Sequence, residues 1–554
     1  MRRGHKGAFS ITCTIILLAV CILSGCTSSQ NPASVTTSNG RTESINTREL
    51  LNIVIDVPDT TDPQCTSEYY TVALNVFDRL VEIRINSDGS SLITPSLADS
   101  WKVSDDGLTY TFQLHEGVKF SNGMPLTASD VEYTLTRLLS NPESSNQDIA
   151  MSIRGAQDLV DGKTDKLEGV RVIDDTHFEI TLSHPYAAFL ACLSTPGASI
   201  LDEETTTVAG RSFGRDPLYT IGTGPFVFHQ WIKGDGMILL ANEDYWSGAP
   251  KCKGIYAQFI SDSEAQRMQF EHGTLDILDL ENLGTEAEYF IHGDIYQHQL
   301  AQGPRVGISY IALNETVEPL QSASVRKALQ IGLDRQTLLN AIYSGRGALE
   351  HGIFPHGLIG YDPDIPEIPY DPEKAKTLLA EAGYPDGFDL TISLSAASVE
   401  STKDLVSLIA YMWQKIGVNA TIETLDDDTY MEKRTSGELA CYTSTWSADF
   451  NDPDNFIYTF FGTKANTNAR SLCYQNDDVI RRVQAARAIT DEEQRIQEYQ
   501  NLENLIVQKD AAWIPLFSRQ HYFIISDRVE GFQVAWNGWS STRYQNISLA
   551  DAEN

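Results

Sequence analysis

Alternating and helical patterns of apolar residues predict a body that mixes strands with helices. Residues 108–114 alternate apolar with polar side chains, the period-two pattern of a half-buried strand. Residues 117–123 predict a short strand and a turn. Thr127 then begins a predicted helix, with Asp130 as its capping-box partner. The apolar face of that helix comprises Val131, Leu135, Leu138 and Leu139.

A second unit, within residues 371–422, decides the fold class. Asp371 and Pro372 supply a helix N-cap and a first-turn proline, and Gly383 ends that helix. A strand over 388–394, a helix ended by Gly417 and a further strand follow with short links. The predicted buried positions of the two helices are Ala375, Leu378, Leu379, Ala382, Leu405, Leu408, Ile409, Met412 and Ile416. This order is a βαβ arrangement and predicts an α/β fold whose parallel or mixed sheet is covered by helices.

Charge narrows the possible partners. The chain has 554 residues with 41 Lys+Arg and 75 Asp+Glu, a formal charge of −34. Nucleic-acid binding and docking on anionic lipid both rest on clustered basic residues, so we expect neither. At roughly 100–200 residues per domain, the length allows two to four domains.

The first 25 residues predict export and anchoring. Arg2, Arg3 and Lys6 precede an apolar run over 8–23, which is shorter than the roughly 20 residues of a membrane span and typical of a signal peptide. The run ends in a Leu-Ser-Gly-Cys sequence that resembles the bacterial lipobox, and this resemblance implies cleavage before Cys26 and diacylation of its sulfur. The alternative is an ordinary signal peptide with an incidental cysteine.

Cleavage there would leave an acidic body on a tether. It removes three cations and no acidic residue, which takes the formal charge from −34 to −37. The segment that follows is rich in Ser, Thr, Asn and Gly, so we expect residues 26–48 to form a flexible tether. The field of the body would favour cationic or free-amine ligands.

The cysteines beyond Cys26 predict no disulfide framework and no zinc site. They are five in number and widely spaced: Cys65, Cys192, Cys252, Cys441 and Cys473. At most two bridges can form among them, and Cys441 with Cys473 is the first choice. We also find no motif for a cofactor or for a metal.

An ordered set of motifs resembles the family-5 extracellular solute-binding proteins, the dipeptide-, oligopeptide- and nickel-binding receptors of bacterial ABC importers. The motifs run in family order from about residue 51 to about residue 530: 97–101, 104–112, 117–120, 123–128, 130–131, 222–226, 242–246, 273–276, 313–314, 325–329, 333–335 and 379–384. Most of these residues have a structural explanation that we prefer. We expect Gly222 to Pro225 to form a tight turn, Trp101 to lie in the core, and Arg326 and Arg335 to form ion pairs or pack by their stems.

The resemblance implies a periplasmic-binding-protein type II-like fold. It would have two lobes with mixed sheets plus an extra third domain, with the ligand cleft between the lobes. We expect lobe I to be discontinuous and to combine three segments, with lobe II and the extra domain each formed by one: 49–76, 186–310 and 526–554 for lobe I, 311–525 for lobe II, and 77–185 for the extra domain.

The segment 445–453 carries the predicted binding site. It is similar to the family segment in which a Trp lines the cleft and an Asp three residues later binds the α-ammonium of a peptide, which implies these roles for Trp446 and Asp449. Tyr69 and Tyr70 match another cleft region of the family. Some relatives hold the ligand carboxylate with an Arg at the position of Thr443, so that recognition stays open here.

Two other interpretations of the segment 445–453 remain open. Asp449, Asn451 and Asp452 form a possible metal loop, although the glycine and distal Glu of a calcium site are missing. A purely structural turn is also open. We expect the acidic residues 426–428 to form a solvated loop.

The resemblance implies a monomeric, lipid-anchored receptor on the extracytoplasmic face of the cell membrane. It would capture di- or oligopeptides and deliver them to the permease subunits of an ABC transporter by hinge closure. Two alternatives are a family receptor for another solute, such as a nickel chelate, an oligosaccharide or a signalling peptide, and a surface hydrolase. The hydrolase has little support, because the sequence has no G-x-S-x-G and no H-E-x-x-H.

Overall fold

The computed structural model describes residues 33–36, 42–66, 69–85, 91–284, 286–537 and 542–550. The predicted signal peptide 1–25 and the lipidation site Cys26 lie outside these residues, as does much of the predicted tether. The chain divides into two compact units, 1–47 and 48–554. In the first unit, residues 33–36 pair antiparallel with residues 42–45.

The strands are β1 Ala33–Thr36, β2 Thr42–Ile45, β3 Leu51–Val54, β4 Val81–Ile85, β5 Ser91–Pro95, β6 Ala98–Val103, β7 Thr109–Leu114, β8 Val170–Val172, β9 His177–Thr181, β10 Phe226–Ile232, β11 Gly236–Ala241, β12 Gly254–Gln258, β13 Ile277–Asp279, β14 Leu300–Pro304, β15 Gly307–Leu313, β16 Gly347–Leu349, β17 Phe388–Ser395, β18 Val418–Leu425, β19 Cys441–Ser447, β20 Trp513–Ile525, β21 Val529–Glu530 and β22 Ser548–Leu549.

The helices are α1 Thr71–Val76, α2 Ala128–Ser140, α3 Ala156–Val160, α4 Phe189–Leu193, α5 Glu203–Ala209, α6 Ser263–Glu271, α7 Glu286–His292, α8 Ala323–Ile331, α9 Arg335–Tyr343, α10 Pro372–Glu381, α11 Glu400–Gln414, α12 Asp427–Ser436, α13 Asp454–Phe461, α14 Lys464–Asn468, α15 Asp477–Ala486 and α16 Glu492–Asn504. Among the described residues, none of these helices combines the length and the apolar character that a membrane crossing requires.

Strand β20 connects the two lobes of the fold. The main sheet has the order β10-β11-β12-β3-β13-β20-β15-β19, in which β3 runs parallel to β12 and β13, and β20 antiparallel to β13 and β15. Residues 513–519 of β20 pair with β15 and β16, and residues 520–525 pair with β13 and β14. One continuous strand therefore belongs to both halves of the sheet, which is mixed, as the predicted fold class requires.

The buried apolar residues that the structure describes separate into four cores, three of them large. The core of lobe I combines residues from Leu51 to Phe77 with residues of β10 to β13 and the C-terminal segment. The core of the third domain runs from Leu80 to Ile200 and lies on the sheet β6-β7-β9-β8. The core of lobe II runs from Val306 to Phe517. A fourth, smaller core combines residues from Phe270 to Phe290 with Ile524 of β20. Several separate cores are expected for a chain of this length.

The predicted βαβ unit is confirmed in lobe II. Strands β17 and β18 pair in parallel over eight residues each, and α11 connects them. The caps of the neighbouring helix α10 are also as predicted, because Asp371 accepts a hydrogen bond from the backbone N–H of Lys374 and Gly383 has φ +97°. A residue with a Cβ rarely adopts that φ, so glycine is suited to end the helix.

In the third domain, β7 and α2 lie where the apolar pattern places them. Tyr110, Phe112 and Leu114 face the core from alternate positions of β7. Thr127 and Asp130 form the predicted capping box at the start of α2. The four predicted apolar positions of α2 are all buried.

One prediction about conformation is wrong. Asp426 is the N-cap of α12 and accepts from the backbone N–H of Thr429, so residues 426–428 start a helix rather than forming a loop. Where a tight turn is predicted over residues 222–225, the chain bends sharply at residues 223–225. Glycine is needed there because a Cβ at Gly222 would lie 2.1 Å from the carbonyl oxygen of Val76.

The predicted disulfide is also wrong, since Cys441 and Cys473 are both free thiols. Cys441 is fully buried in the core of lobe II. The Cys473 sulfur instead points to the carbonyl oxygen of Gly437, at 3.7 Å. Among the predicted arginine contacts, Arg326 does form an ion pair, with Glu315 at 2.8 Å. Arg335 donates to backbone carbonyls, including that of Pro515 at 3.0 Å.

Candidate binding cleft

Asn455, at the start of α13, holds two of the four residues that the sequence predicts for the site, Trp446 and Asp449. Its Oδ1 accepts hydrogen bonds from Trp446 Nε1 at 3.3 Å and from the backbone N–H of Asp449 at 3.0 Å. Its Nδ2 donates to Asp449 Oδ2 at 2.9 Å. Asn455 is buried, so the position of the Asp449 carboxylate relative to the Trp446 indole is fixed by three bonds to one side chain.

The other polar groups of this segment have partners inside lobe II. Asp452 forms a buried two-bond ion pair with Arg495, at 2.7 and 2.8 Å. Asp454 pairs with Arg487 at 3.1 Å. Asn451 accepts from the backbone N–H of Ile359 at 2.7 Å. Asn451 and Asp452 are thus engaged inside the lobe, and among the described residues no cluster of His, Cys, Asp or Glu that could hold a metal ion includes Asp449.

Asp449 differs from its neighbours because no cation pairs with it. Within the described residues, it has no Lys, Arg or His within ion-pair distance, whereas Asp452 and Asp454 each have an arginine. Its side chain is open to a cavity, yet protein surrounds it closely enough that burial raises the pKa of the carboxyl. The Asp148 carboxylate raises the pKa further, while the bond from Asn455 and the charge of Arg470 lower it, and the net shift is upward.

Trp446, Asp449 and Tyr70 line one cavity of about 530 Å³. The cavity lies between lobe II, which supplies Trp446 and Asp449, and the third domain, which supplies Asp148. Tyr70 is held at its edge by a hydrogen bond from its hydroxyl to the carbonyl oxygen of Thr66, at 3.1 Å. Tyr69 is not among the described residues that line it. The volume is within the range of small-molecule sites, roughly 300–1,000 Å³.

A second cavity, of about 600 Å³, continues from the first. The two share Thr195, Pro196 and Asp449, so Asp449 lies where they meet. The second cavity is lined by Arg79 and Arg543, whose guanidinium groups both contact Glu82. Asp449 is thus accessible from both parts of one extended cleft.

Residues 93–468 match the family described as "Bacterial extracellular solute-binding proteins, family 5 Middle". This chain belongs to that family. The match covers more than half of the chain and confirms the resemblance predicted from the motifs. Members of the family are substrate-binding proteins of transport systems and not enzymes, which removes the hydrolase alternative.

Individual relatives of this family-5 protein cover most of its length. Heme-binding protein A of Haemophilus influenzae is 31% identical over 480 residues, which are 84% of this chain and 86% of that protein. A dipeptide-binding protein of Escherichia coli is 28% identical over 529 residues, 91% of this chain and 95% of that protein. The structure of HbpA2 from Haemophilus parasuis has a TM-score of 0.78 and 26% identity, and the match covers 90% of this chain and 99% of that one.

Sequence reasoning did not identify several cleft residues of this family-5 protein. Asn455 was missed although it is adjacent to the predicted segment, because an Asn near a helix start reads as a capping residue. Arg470 and Asp148 were missed because they are remote in sequence and only the fold brings them to the cavity. Thr443 has a buried hydroxyl without a hydrogen-bond partner in the described part of the chain.

Proposed function

We propose that this protein is the receptor of an ABC importer for peptides with a free amino terminus, and that Asp449 binds the α-ammonium group of the ligand. The observation that supports this most directly is that Asp449 has no ion-pair partner within the described part of the chain. Asp454 and Asp452 pair with Arg487 and Arg495, whereas Asp449 faces the cleft with no cation within ion-pair distance among the described residues; Arg470 lines the same cavity and acts on it only from farther away.

A ligand ammonium would supply the missing charge. A carboxylate that protein surrounds loses hydration, which costs free energy. A positively charged group beside it compensates for this cost. Burial raises the pKa of Asp449, so the ligand-free site disfavours the charged form that the ammonium would stabilise.

Trp446 would form the apolar wall beside the ammonium. Its indole N–H is held by Asn455, which fixes the ring next to Asp449. The ring would shield the ion pair from water and would add cation–π attraction, about 0.5–2 kcal/mol in other proteins. Main-chain hydrogen bonds to an extended peptide would add affinity with tolerance for different side chains.

The ligand would be delivered to the permease after the lobes close around it. We propose that the body stands on the tether, held by the lipid on Cys26 at the extracytoplasmic face of the membrane, and acts as a monomer. The lobes would close by bending where β20 and the link between β14 and β15 pass from one lobe to the other. The closed form would then present the ligand to the permease.

Heme is the second candidate ligand. The H. influenzae relative is named for heme binding, and the cavity of this chain carries His184 and Met151, which are residue types that ligate heme iron. Heme has no ammonium group, so it would leave Asp449 without a partner.

The experiment is the identification of ligand that co-purifies with the untagged protein, followed by calorimetry. Denaturing release and mass spectrometry identify the ligand, and binding of tri-alanine is then compared with that of N-acetyl-tri-alanine. We expect a peptide in the eluate and an affinity loss of about 2–5 kcal/mol on acetylation. A heme absorption band that shifts on binding, or equal affinity for the two peptides, would contradict the proposal.

A further inference from the structure

Lobe I and the third domain are joined firmly, whereas lobe II contacts the third domain only lightly. The ion pair of Arg137 with Asp62, at 2.6 Å between two mostly buried side chains, fixes the third domain to lobe I. Towards lobe II, the backbone N–H of Ala187 donates to the carbonyl oxygen of Arg487 at 3.1 Å. The Arg487 guanidinium also lies over the ring of Tyr186, 4.4 Å from its centre. The two bodies therefore touch across the cleft in this structure.

Two stretches of chain pass between lobe I and lobe II, and each of these crossings carries an arginine. Arg305 lies in the link between β14 and β15, and Arg519 lies in β20, where it pairs with Gly347 of lobe II. The backbone N–H of Arg305 donates to the carbonyl oxygen of Arg519 at 3.2 Å, so the crossings are adjacent. Neither arginine is among the described residues that line the two cavities of the cleft.

One carboxylate of lobe I contacts both of these arginines. The Oε1 atom of Glu281 accepts a hydrogen bond from Arg305 and lies 2.6 Å from Nη2 of Arg519. Burial alone would raise the pKa of this carboxyl, but the nearby cationic groups, Arg305 first, outweigh burial and lower the pKa. Glu281 is thus ionised at neutral pH and is paired with a cation on each crossing.

Lobe I holds Glu281 in a fixed position. The backbone N–H of Glu281 donates to Oδ1 of Asp279, which caps the short 3-10 helix Leu280–Leu283, at 2.9 Å. The same oxygen lies 2.7 Å from Nε2 of His521, in the part of β20 that belongs to lobe I. Leu280 and Leu283 are buried in the fourth core. A charged group on so well-supported a segment imposes its geometry on its partners.

Arg519 extends the contact of Glu281 to lobe II. Its guanidinium lies 5.2 Å from the ring centre of Tyr343, in α9 of lobe II, while it pairs with Glu281 of lobe I. A second ion pair, Arg346 with Glu288 at 2.7 Å, joins the lobes nearby, because Arg346 precedes the strand β16 that pairs with Arg519. Bending at the crossings would move these groups relative to one another, so the ion pairs depend on the angle between the lobes.

We propose that Glu281 is a hinge clamp that favours the closed arrangement of the lobes, an inference that rests on the hinge closure of the proposed function. Its two ion pairs form in the closed arrangement and weaken when the lobes bend apart. The clamp contacts no ligand, yet it sets the fraction of molecules in the closed arrangement, and the apparent affinity falls in proportion to that fraction. Every ligand is affected by the same factor, because the contribution lies within the protein.

The test combines small-angle X-ray scattering with calorimetry and stopped-flow fluorescence. Without ligand, Glu281→Gln should have a larger radius of gyration than the wild type, and saturating tri-alanine should bring both proteins to the same value. Tri-alanine should bind the variant about three- to tenfold more weakly, since partly exposed ion pairs contribute modestly and two are lost. Most of this loss should appear as faster dissociation of the peptide.

Glu286→Gln is the matched control. Glu286 pairs with Arg267 inside lobe I, and its side chain is 29% exposed against 27% for Glu281, so the control removes the same charge from a similar environment. It should keep the wild-type radius and affinity. Arg519→Gln is the second test variant and should reproduce part of the effect, after which adding Glu281→Gln should cost less affinity than it does in the wild type. Thermal unfolding checks that each variant is folded.

Different outcomes separate this inference from the proposed function. The ratio of affinities for tri-alanine and N-acetyl-tri-alanine should be the same in Glu281→Gln and in the wild type. If acetylation has no effect on either protein, the assignment of Asp449 fails, and a shifted radius still supports the clamp. If tri-alanine binds the wild type without reducing its radius, hinge closure fails and the clamp fails with it. A wild-type radius and dissociation rate in Glu281→Gln overturn the clamp and leave the role of Asp449 standing.

Discussion

The side-chain amide of Asn455 donates a hydrogen bond to the Asp449 carboxylate, with 2.9 Å between Nδ2 and Oδ2. The same side chain accepts from the Asp449 backbone, so one buried residue fixes both ends of Asp449. Sites of this kind depend on the residue that positions the charged group as much as on the group itself.

Asn455→Ala should therefore weaken both the fold and the site. The substitution leaves the Trp446 indole N–H and the Asp449 backbone N–H without their acceptor. A buried unsatisfied group of this kind lowers the free energy of unfolding by about 1–3 kcal/mol. Denaturant unfolding measures the stability loss, and calorimetry with tri-alanine measures the loss of affinity.

Asn455→Asp is the matched variant. It keeps an acceptor for both N–H groups but replaces the donor by a second carboxylate beside Asp449. We expect milder destabilisation at neutral pH than for Asn455→Ala, together with a larger loss of peptide affinity at low pH because the pKa of Asp449 rises further. Equal stability and affinity in the two variants would argue against the positioning role.

Asp449→Asn should stabilise the ligand-free protein while it removes binding. Burial raises the pKa of Asp449 in the folded state, so its favourable contribution is complete below the ordinary pKa, near 4, and is lost as the pH rises through the raised value. At neutral pH the variant should thus unfold at a higher temperature than the wild type.

The raised pKa of Asp449 also determines how peptide binding depends on pH. Affinity for a free-amine peptide should fall as the pH decreases through the raised pKa of Asp449, at a higher pH than an exposed aspartate would require. A stability difference between Asp449→Asn and the wild type that does not change between pH 4 and pH 7 would contradict this account.

The fold was predictable where local signals agree with the apolar pattern. Thr127 and Asp371 begin helices whose buried stripes are visible in the sequence, and the parallel pair β17 and β18 follows from the order of the elements. Helix α12 was missed because none of its residues is buried, so it has no apolar stripe to reveal it. Its N-cap, Asp426, lies in a run of acidic residues that is equally typical of a loop.

The candidate site was predictable only where the family resemblance reaches, which is Tyr70 and the segment around Trp446. Trp446 and Asp449 were found through the family resemblance. Arg470 contacts Trp446 only because α13, α14 and the loop after them fold back onto β19, a relationship that neither spacing nor composition contains. The charge state of the cleft could not be predicted from the sequence. It depends on which arginines have partners, and only the structure shows this.

The buried pair of Asp452 and Arg495 should be a major source of stability in lobe II. Both side chains are about 95% buried, and removing one partner leaves an uncompensated charge. Arg495→Met should cost about 3–5 kcal/mol, much of which Asp452→Asn should restore in the double variant. Denaturant unfolding gives the coupling energy.

The exposed pair of Arg171 and Glu179 in the third domain is the control. The Arg171 side chain is 64% exposed, so Arg171→Met should cost less than about 1 kcal/mol. A comparable loss of stability from Arg171→Met and Arg495→Met would show that burial does not determine how much an ion pair contributes.

Glu503 predicts a second pH dependence, remote from the cleft. Its Oε1 accepts backbone hydrogen bonds from Ile353 and Phe354, and burial raises the pKa of the carboxyl to about 8. Its stabilising contribution is complete below the ordinary glutamate value, near 4.5, and is lost progressively as the pH rises to about 8.

Glu503→Gln keeps an acceptor for both N–H groups without the titration. The stability of the variant relative to the wild type should increase between pH 5 and pH 8, by a few kcal/mol. Urea unfolding at intervals across this range measures it. A relative stability that is constant with pH would exclude the raised pKa.

The central claim, that Asp449 binds the ligand ammonium, is tested most directly by a cycle of four calorimetric affinities. Tri-alanine and N-acetyl-tri-alanine are each titrated into the wild type and into Asp449→Asn. We predict a coupling energy of at least about 2 kcal/mol, with acetylation weakening binding to the wild type and having little effect on the variant. A coupling energy near zero, with acetylation equally harmful to both proteins, would contradict the claim.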